Sequence, residues 1–207
     1  MQKTEVFEKY YKEYDEWFIE NEQLFLAELN AVKKIMPVKK YGMEIGIGSG
    51  KFAEPLGIKI GVEPAIKMAE ISRSKGIEIY QGTAENLPFN NNIFDFVLMV
   101  TTICFVDDVL QSFNEAYRVL KDNGSIIIGF VDKESRMGIK YQKTKDKSKF
   151  YKNATFFSTK EVIDLLQKSN FNNFEVKQTL IEKEGVSLNK IMDGYGSGSF
   201  VVIKANK

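Results

Sequence analysis

The residues best suited to chemistry lie in one stretch, EIGIGSGKFAEPLGIKIGVEP (44–64). It holds three glycines at alternate positions, Gly46, Gly48 and Gly50, and a lone carboxylate, Glu63, ahead of Pro64. A glycine turn between a strand and a helix lets a ligand approach bare backbone, because no Cβ intrudes and positive φ is permitted. A carboxylate ending the following strand can accept hydrogen bonds from both hydroxyls of a ribose. Glu63 follows Gly46 by 17 residues, where that second strand should finish. The spacing is G-x-G-x-G, preceded by Glu44. Dinucleotide binders instead carry G-x-G-x-x-G, whose third glycine lets the helix pack on the strand. The turn therefore leans away from hydride transfer, although a G-x-G-x-G alone is also compatible with a tight structural connection.

Composition removes other chemistries. The 207 residues include no histidine and one cysteine, Cys104. That excludes Ser-His-Asp hydrolysis, Cys-His nucleophiles, histidine-bound metals, multi-thiolate clusters and an internal disulfide. No metal is expected, since Asp107 and Asp108 read equally well as caps of the helix that follows them. A formal charge of +1 gives no global field to favour nucleic acid or a membrane surface. The stretch MQKTEVFEKYYKEYDEWF lacks an apolar signal core and no run of 18 apolar residues occurs, which predicts a soluble, cytoplasmic protein without membrane insertion.

The elements that must position these residues follow from periodicity. Apolar residues at helical spacing over 4–35 predict two helices broken near Asn21 and stopped by Pro37. Short apolar runs at 41–47, 58–63, 77–82, 94–102 and 125–131 alternate with helical patterns at 63–76 and 106–124. Strand alternating with helix predicts an α/β fold, a Rossmann-like doubly wound sheet of five parallel strands. Ser158 and Glu161 stand at capping-box spacing at the head of a helix over 158–171, and 174–181 with 198–205 read as a closing antiparallel pair. Residues 132–152 carry eight Lys or Arg against three Asp or Glu and read as an inserted, solvated loop, with recognition of an anionic substrate as the alternative. One domain over 1–207 is expected, with an N-terminal helical lid (1–37), a cofactor-binding core (41–131), the basic segment (132–157) and a C-terminal helix with closing strands (158–207).

The motifs EIGIGSG, GVEP, GTAENLPF with FDFVLMV, and AYRVLKDNGSIIIG occur in an order and spacing that resembles class I S-adenosylmethionine-dependent methyltransferases. The likeness is to the small-molecule group that includes ubiquinone- and menaquinone-biosynthesis methyltransferases. It covers about residues 41–131, with fainter similarity in YDEWF and FFSTKEVIDLLQKSNF. The resemblance implies S-adenosyl-L-methionine as cofactor. It implies Gly46, Gly48, Ser49 and Gly50 along the methionine and ribose, Glu44 supporting the turn, and Glu63 with Pro64 at the ribose diol. Thr83, Ala84 and Glu85 fall at the adenine, and Val100 and Thr101 near the methionine portion. Where the family usually has Asp before that alanine, this chain has Thr83, so a hydroxyl or Glu85 would have to accept from the adenine amino group.

Open α/β sheets bind ligands at the carboxyl ends of their strands, which points to Thr102, Ile103 and Phe105 as walls for a small-molecule methyl acceptor. The aromatic stripe Tyr10, Tyr11, Tyr14, Trp17 and Phe18 is the lid candidate, because aromatic faces attract a sulfonium or an ammonium; the resemblance places the YDEWF helix over the cofactor, which puts Tyr11 and Tyr14 foremost. Packing of an amphipathic helix onto the domain is the competing account of each. Tyr141, Phe150 and Tyr151 of the basic segment could also cover the site. No base is assigned: without histidine there remain Glu, Asp and Tyr, or an acceptor that arrives already nucleophilic. Two other functions stay open, an NAD-dependent oxidoreductase and a non-catalytic S-adenosylmethionine-binding module. Asp95 and Arg118 read as structural and Cys104 as a buried apolar residue; oligomeric state is left open.

Overall fold

The computed structural model describes residues 2–38, 41–181 and 187–207. The amino-terminal stretch forms three helices rather than two: α1 (Gln2–Lys9), α2 (Tyr11–Glu20) and α3 (Glu22–Ile35). The break at Asn21 is the one periodicity predicts. The additional break at Tyr10 swings α1 back so that Phe7 meets Tyr14 edge to face at 5.7 Å, a tertiary contact that local pattern does not encode.

The strands are β1 (Gly42–Ile45), β2 (Ile60–Val62), β3 (Glu78–Tyr80), β4 (Phe94–Val100), β5 (Leu120–Val131), β6 (Asn172–Ile181), β7 (Met192–Asp193) and β8 (Gly198–Asn206). They form one sheet in the order β3-β2-β1-β4-β5-β8-β6-β7. The first five are parallel. β8 joins β5 and β6 antiparallel, as the closing pair predicts, and the two-residue β7 adds an edge that the sequence pattern misses. Residues 182–186 of the connection between the closing strands lie outside the described residues.

Period-two burial splits the core between the two faces of the sheet. Val97 and Met99 pack toward α6 (Val109–Val119) and α8 (Thr159–Lys168), while Phe96, Leu98 and Val100 pack toward α2, α3, α4 (Ala53–Leu56) and α5 (Ile66–Ser74). α3 lies against β5, β6 and β8, and its Ala27, Ala31, Val32 and Ile35 are buried. Part of the expected lid is thus a core helix, because a stripe of small and branched residues fits the sheet better than it covers an opening. Among the described residues no helix is long and apolar enough to cross a membrane.

The basic segment is not an open loop. Ser135 accepts from the Gly138 amide at 3.0 Å and starts α7 (Arg136–Thr144), followed by short 3₁₀ turns at Lys145–Lys147 and Tyr151–Asn153. Its aromatic residues point inward, Tyr141 stacking on Tyr151 at 5.1 Å and Tyr151 on Phe105 at 5.8 Å. Asp108 caps α6 through the Gln111 amide at 2.9 Å, and Arg118 grips Glu115 and the carbonyls of Leu87 and Phe89.

The capping box of α8 is complete: Ser158 Oγ accepts from the Glu161 amide at 3.3 Å, and Glu161 Oε2 accepts from the Ser158 amide at 2.8 Å. Ser158→Ala should therefore cost about 1 kcal/mol and lower the thermal midpoint by about 2–4 °C, measurable by calorimetry.

Candidate active site

The strand order reverses between β1 and β4, so connections leaving these two strands diverge to opposite sides and open a crevice at their carboxyl ends. The glycine turn fills that edge. Gly46 sits at φ +66°, and a Cβ there would stand 2.4 Å from Thr102 Cγ2; only a bare backbone lets the end of β1 pass the loop after β4. Gly48, at φ +56°, donates its amide to Glu63 Oε2 at 2.8 Å, while Glu63 Oε1 accepts from the Ala65 amide at 2.9 Å. Each carboxylate oxygen retains a further acceptor position. Ser72 Oγ donates to Gly48 O at 2.8 Å and fixes the turn from α5. At the end of β4, Thr101 holds φ +52°, a left-handed conformation unusual for a β-branched residue and a common mark of functional loops.

A cavity of about 680 Å³ opens over this edge, within the range of small-ligand sites. Gly46, Gly48, Glu63 and Pro64 line it, as do Thr83, Ala84, Glu85, Val100, Thr101, Thr102, Phe105, Tyr14, Trp17 and Phe18. The remaining candidates sit elsewhere. Glu44 and Ser49 are buried behind the turn, Ser49 donating to Asp15 at 2.5 Å. A Cβ on Gly50 would crowd Ile77 and Ser72 at 3.0 Å, so that glycine serves packing. Ile103 belongs to the core beneath the sheet. Tyr11 lies off the cavity with its ring beside Lys12. Glu85 is already employed: its carboxylate accepts from the Asp107 and Asp108 amides at 2.7 and 3.2 Å.

Helix α1 crosses the opening. Lys3 Nζ donates to Val106 O at 2.8 Å at one end, and Glu8 accepts from the Lys67 amide at 3.0 Å at the other. Phe7 stacks on Phe150 and meets Phe105 at 4.8 Å, joining α1 to the basic segment above the cavity. Asp15, held by Lys51 at 3.1 Å, ties α2 to the glycine turn.

Three carboxyls are buried here. Burial pushes Glu63 up to about 7, opposed by its two backbone donors. Glu44 is raised by burial against a stabilising Ala53 amide, and its Oε2 has no partner. Glu28, on α3, lines the cavity and is pushed up to about 8 by burial. The sequence reading missed Glu28; its signal was a charge within the buried face of LFLAELNAV, between Phe25 and Val32. Cys104 is buried, its thiol pushed up to about 12, as its apolar setting implies. Among the described residues no group of three or more His, Cys, Asp or Glu has metal-holding geometry.

Residues 43–128 match the family model for a methyltransferase domain. A Thermotoga maritima protein described as an S-adenosylmethionine-dependent methyltransferase, with histamine N-methylation suggested for it, is 51% identical. The match covers 98% of this chain and 99% of that one, with a TM-score of 0.94. The chain belongs to the class I S-adenosylmethionine-dependent methyltransferases. An uncharacterized protein of Methanocaldococcus jannaschii is 44% identical over 98% of each chain. A demethylmenaquinone methyltransferase of Staphylococcus epidermidis is 31% identical over 58% of this chain and 52% of its own. The methyl donor of this methyltransferase is S-adenosylmethionine, and the cavity lining fits it: bare backbone at Gly46 and Gly48 and spare acceptor positions on Glu63.

The buried acids set a pH dependence. Glu28 and Glu63 titrate above their unfolded value of 4.5, so their contribution to stability is complete below that value and is lost as pH rises through about 7 to 8. The thermal midpoint of ligand-free methyltransferase should fall between about pH 5 and pH 8, and Glu28→Gln should flatten that fall; scanning calorimetry across pH reads both.

Proposed function

We propose that this methyltransferase transfers the methyl group to a small molecule enclosed within the cavity. The observation that carries this reading is the closure of the opening by α1 and the basic segment. The Phe7–Phe150 stack, the Lys3–Val106 hydrogen bond and the Lys149–Glu13 ion pair at 3.7 Å leave room for a compact acceptor, not for a polymer surface. The histamine suggestion made for the Thermotoga maritima relative agrees with an acceptor of that size.

The residue roles we assign come from the family resemblance, and the geometry is compatible with them. Glu63 accepts from the ribose diol, Gly46 and Gly48 lie along the ribose and methionine, and Glu44, partnerless at Oε2, supports the turn at the ammonium end. Thr83 and Ala84 border the adenine; Glu85 acts there through its backbone, because its carboxylate holds the start of α6. The cofactor supplies an electrophilic methyl group on a sulfonium. The protein aligns the acceptor's lone pair with it and keeps water out.

Incubation with methyl-labelled S-adenosylmethionine and a fractionated cell extract tests the acceptor class: label should enter the low-mass fraction, and label confined to protein or nucleic acid would overturn the reading. Glu63→Ala removes a charge-assisted contact worth about 1.5–3 kcal/mol. It should weaken S-adenosylhomocysteine binding about tenfold or more; unchanged affinity in a titration would show that the ribose lies elsewhere.

A further inference from the structure

One polar side chain of the cavity has no task in binding the methyl donor. Glu28 is 7% exposed, lines the cavity, and accepts no hydrogen bond from any described residue. It rises from α3, which packs on β5, β6 and β8, whereas Glu63 follows β2 on the other side of β1 and β4. Tyr14 lines the cavity beside the glycine turn, where a Cβ on Gly48 would stand 3.7 Å from its hydroxyl, and it also feels the charge of Glu28. Tyr14 therefore stands between two ends of the cavity, the donor end at Glu63 and a second end at Glu28.

The second end is built of rings and one acid. Trp17, Phe18 and Tyr14 arrive from α2, and Tyr141 and Tyr151 from the basic segment. From the strands beneath α3, Val131 at the end of β5 adds an apolar wall. The titratable groups whose charges couple to Glu28 are Tyr14, Tyr141 and Tyr151; burial raises each of them, so all three stay neutral where Glu28 titrates. Lys3 is the one Lys or Arg among the described residues lining the cavity, and it is engaged at the opposite rim by Val106 O and Asp107. A buried carboxylate without a cation is expensive, and aromatic faces attract cations. Such a pocket disfavours an anionic acceptor and gains most from a cationic one.

We infer that Glu28 is the acceptor-side carboxylate: it binds the ammonium group of a small primary or secondary amine and takes the proton that must leave before nitrogen can be methylated. This rests on the proposal of a small enclosed acceptor and names its class. An ammonium has no lone pair to give. On passing one proton to Glu28 it becomes a neutral amine, whose lone pair forms the new N–C bond as the C–S bond breaks with its electron pair remaining on sulfur. The methylated ammonium departs from a protonated Glu28, whose proton passes to water when the next ammonium binds. Because the empty-site carboxyl of Glu28 is held neutral up to about pH 8 by burial, ammonium binding near neutral pH must expel that proton.

The test uses the protein saturated with S-adenosylhomocysteine, titrated near pH 7 with phenethylamine, 2-phenylethanol and 3-phenylpropionate, three probes that differ mainly in charge. The amine should bind about tenfold or more tightly than the alcohol, the anion more weakly than both. Amine binding should also release up to one proton, read from calorimetry in buffers of different ionisation enthalpy. In Glu28→Gln the preference and the proton release should both vanish, while S-adenosylhomocysteine affinity and the thermal midpoint report an intact fold. Equal affinity for amine and alcohol, or proton release that survives Glu28→Gln, overturns the role of Glu28 and leaves the small-molecule reading standing. Binding of S-adenosylhomocysteine with no binding of any probe counts against both.

Discussion

A single carboxylate holds the glycine turn of this methyltransferase in place. Glu63 is 6% exposed, and a charge so placed is costly unless hydrogen-bonded. Its two partners are backbone amides, Gly48 in the turn after β1 and Ala65 at the head of α5. The ends of β1 and β2 are consequently fixed to one another, and the turn cannot relax without stranding the acid. Gly46 adds a second constraint, because the close approach of Thr102 admits no side chain and so draws the end of β4 into the same arrangement. The left-handed Thr101 is the local conformation that this convergence imposes.

Two buried acids mark this region: Glu28 lines the cavity and Glu44 lies behind the glycine turn, and burial is the first cause that raises both. Low local dielectric strengthens any ion pair that forms at such an acid. Methyl transfer from a sulfonium neutralises charge on sulfur as the bond to the acceptor forms, so the protein's work is alignment and dryness. Over the cavity, Phe7, Tyr14, Phe105 and Phe150 build an aromatic roof between α1, α2 and the basic segment.

The roof also explains why the basic segment is structured. Its charges made it look like a solvated loop, yet Tyr141, Phe150 and Tyr151 give it an apolar underside, and the Ser135 cap with the inward stacking of those rings makes α7 and two turns of it. Charge pattern described the outer face of the segment and said nothing of what lay beneath.

Much of the framework is local and was legible in the chain. The alternation of apolar runs with helical patterns, the glycine turn, the acid that ends β2, the Ser158–Glu161 box and the stop at Asn21 each depend on residues close in sequence. The order of the motifs carried the family. What the linear sequence left undecided was which side chains share a space: Glu28 facing the cavity from within a core helix, Glu85 diverted to the amides of Asp107 and Asp108, Tyr11 turned aside while Tyr14 faces in, and the extra bend at Tyr10. These outcomes depend on desolvation and packing between elements far apart along the chain, so only the assembled tertiary structure decided them.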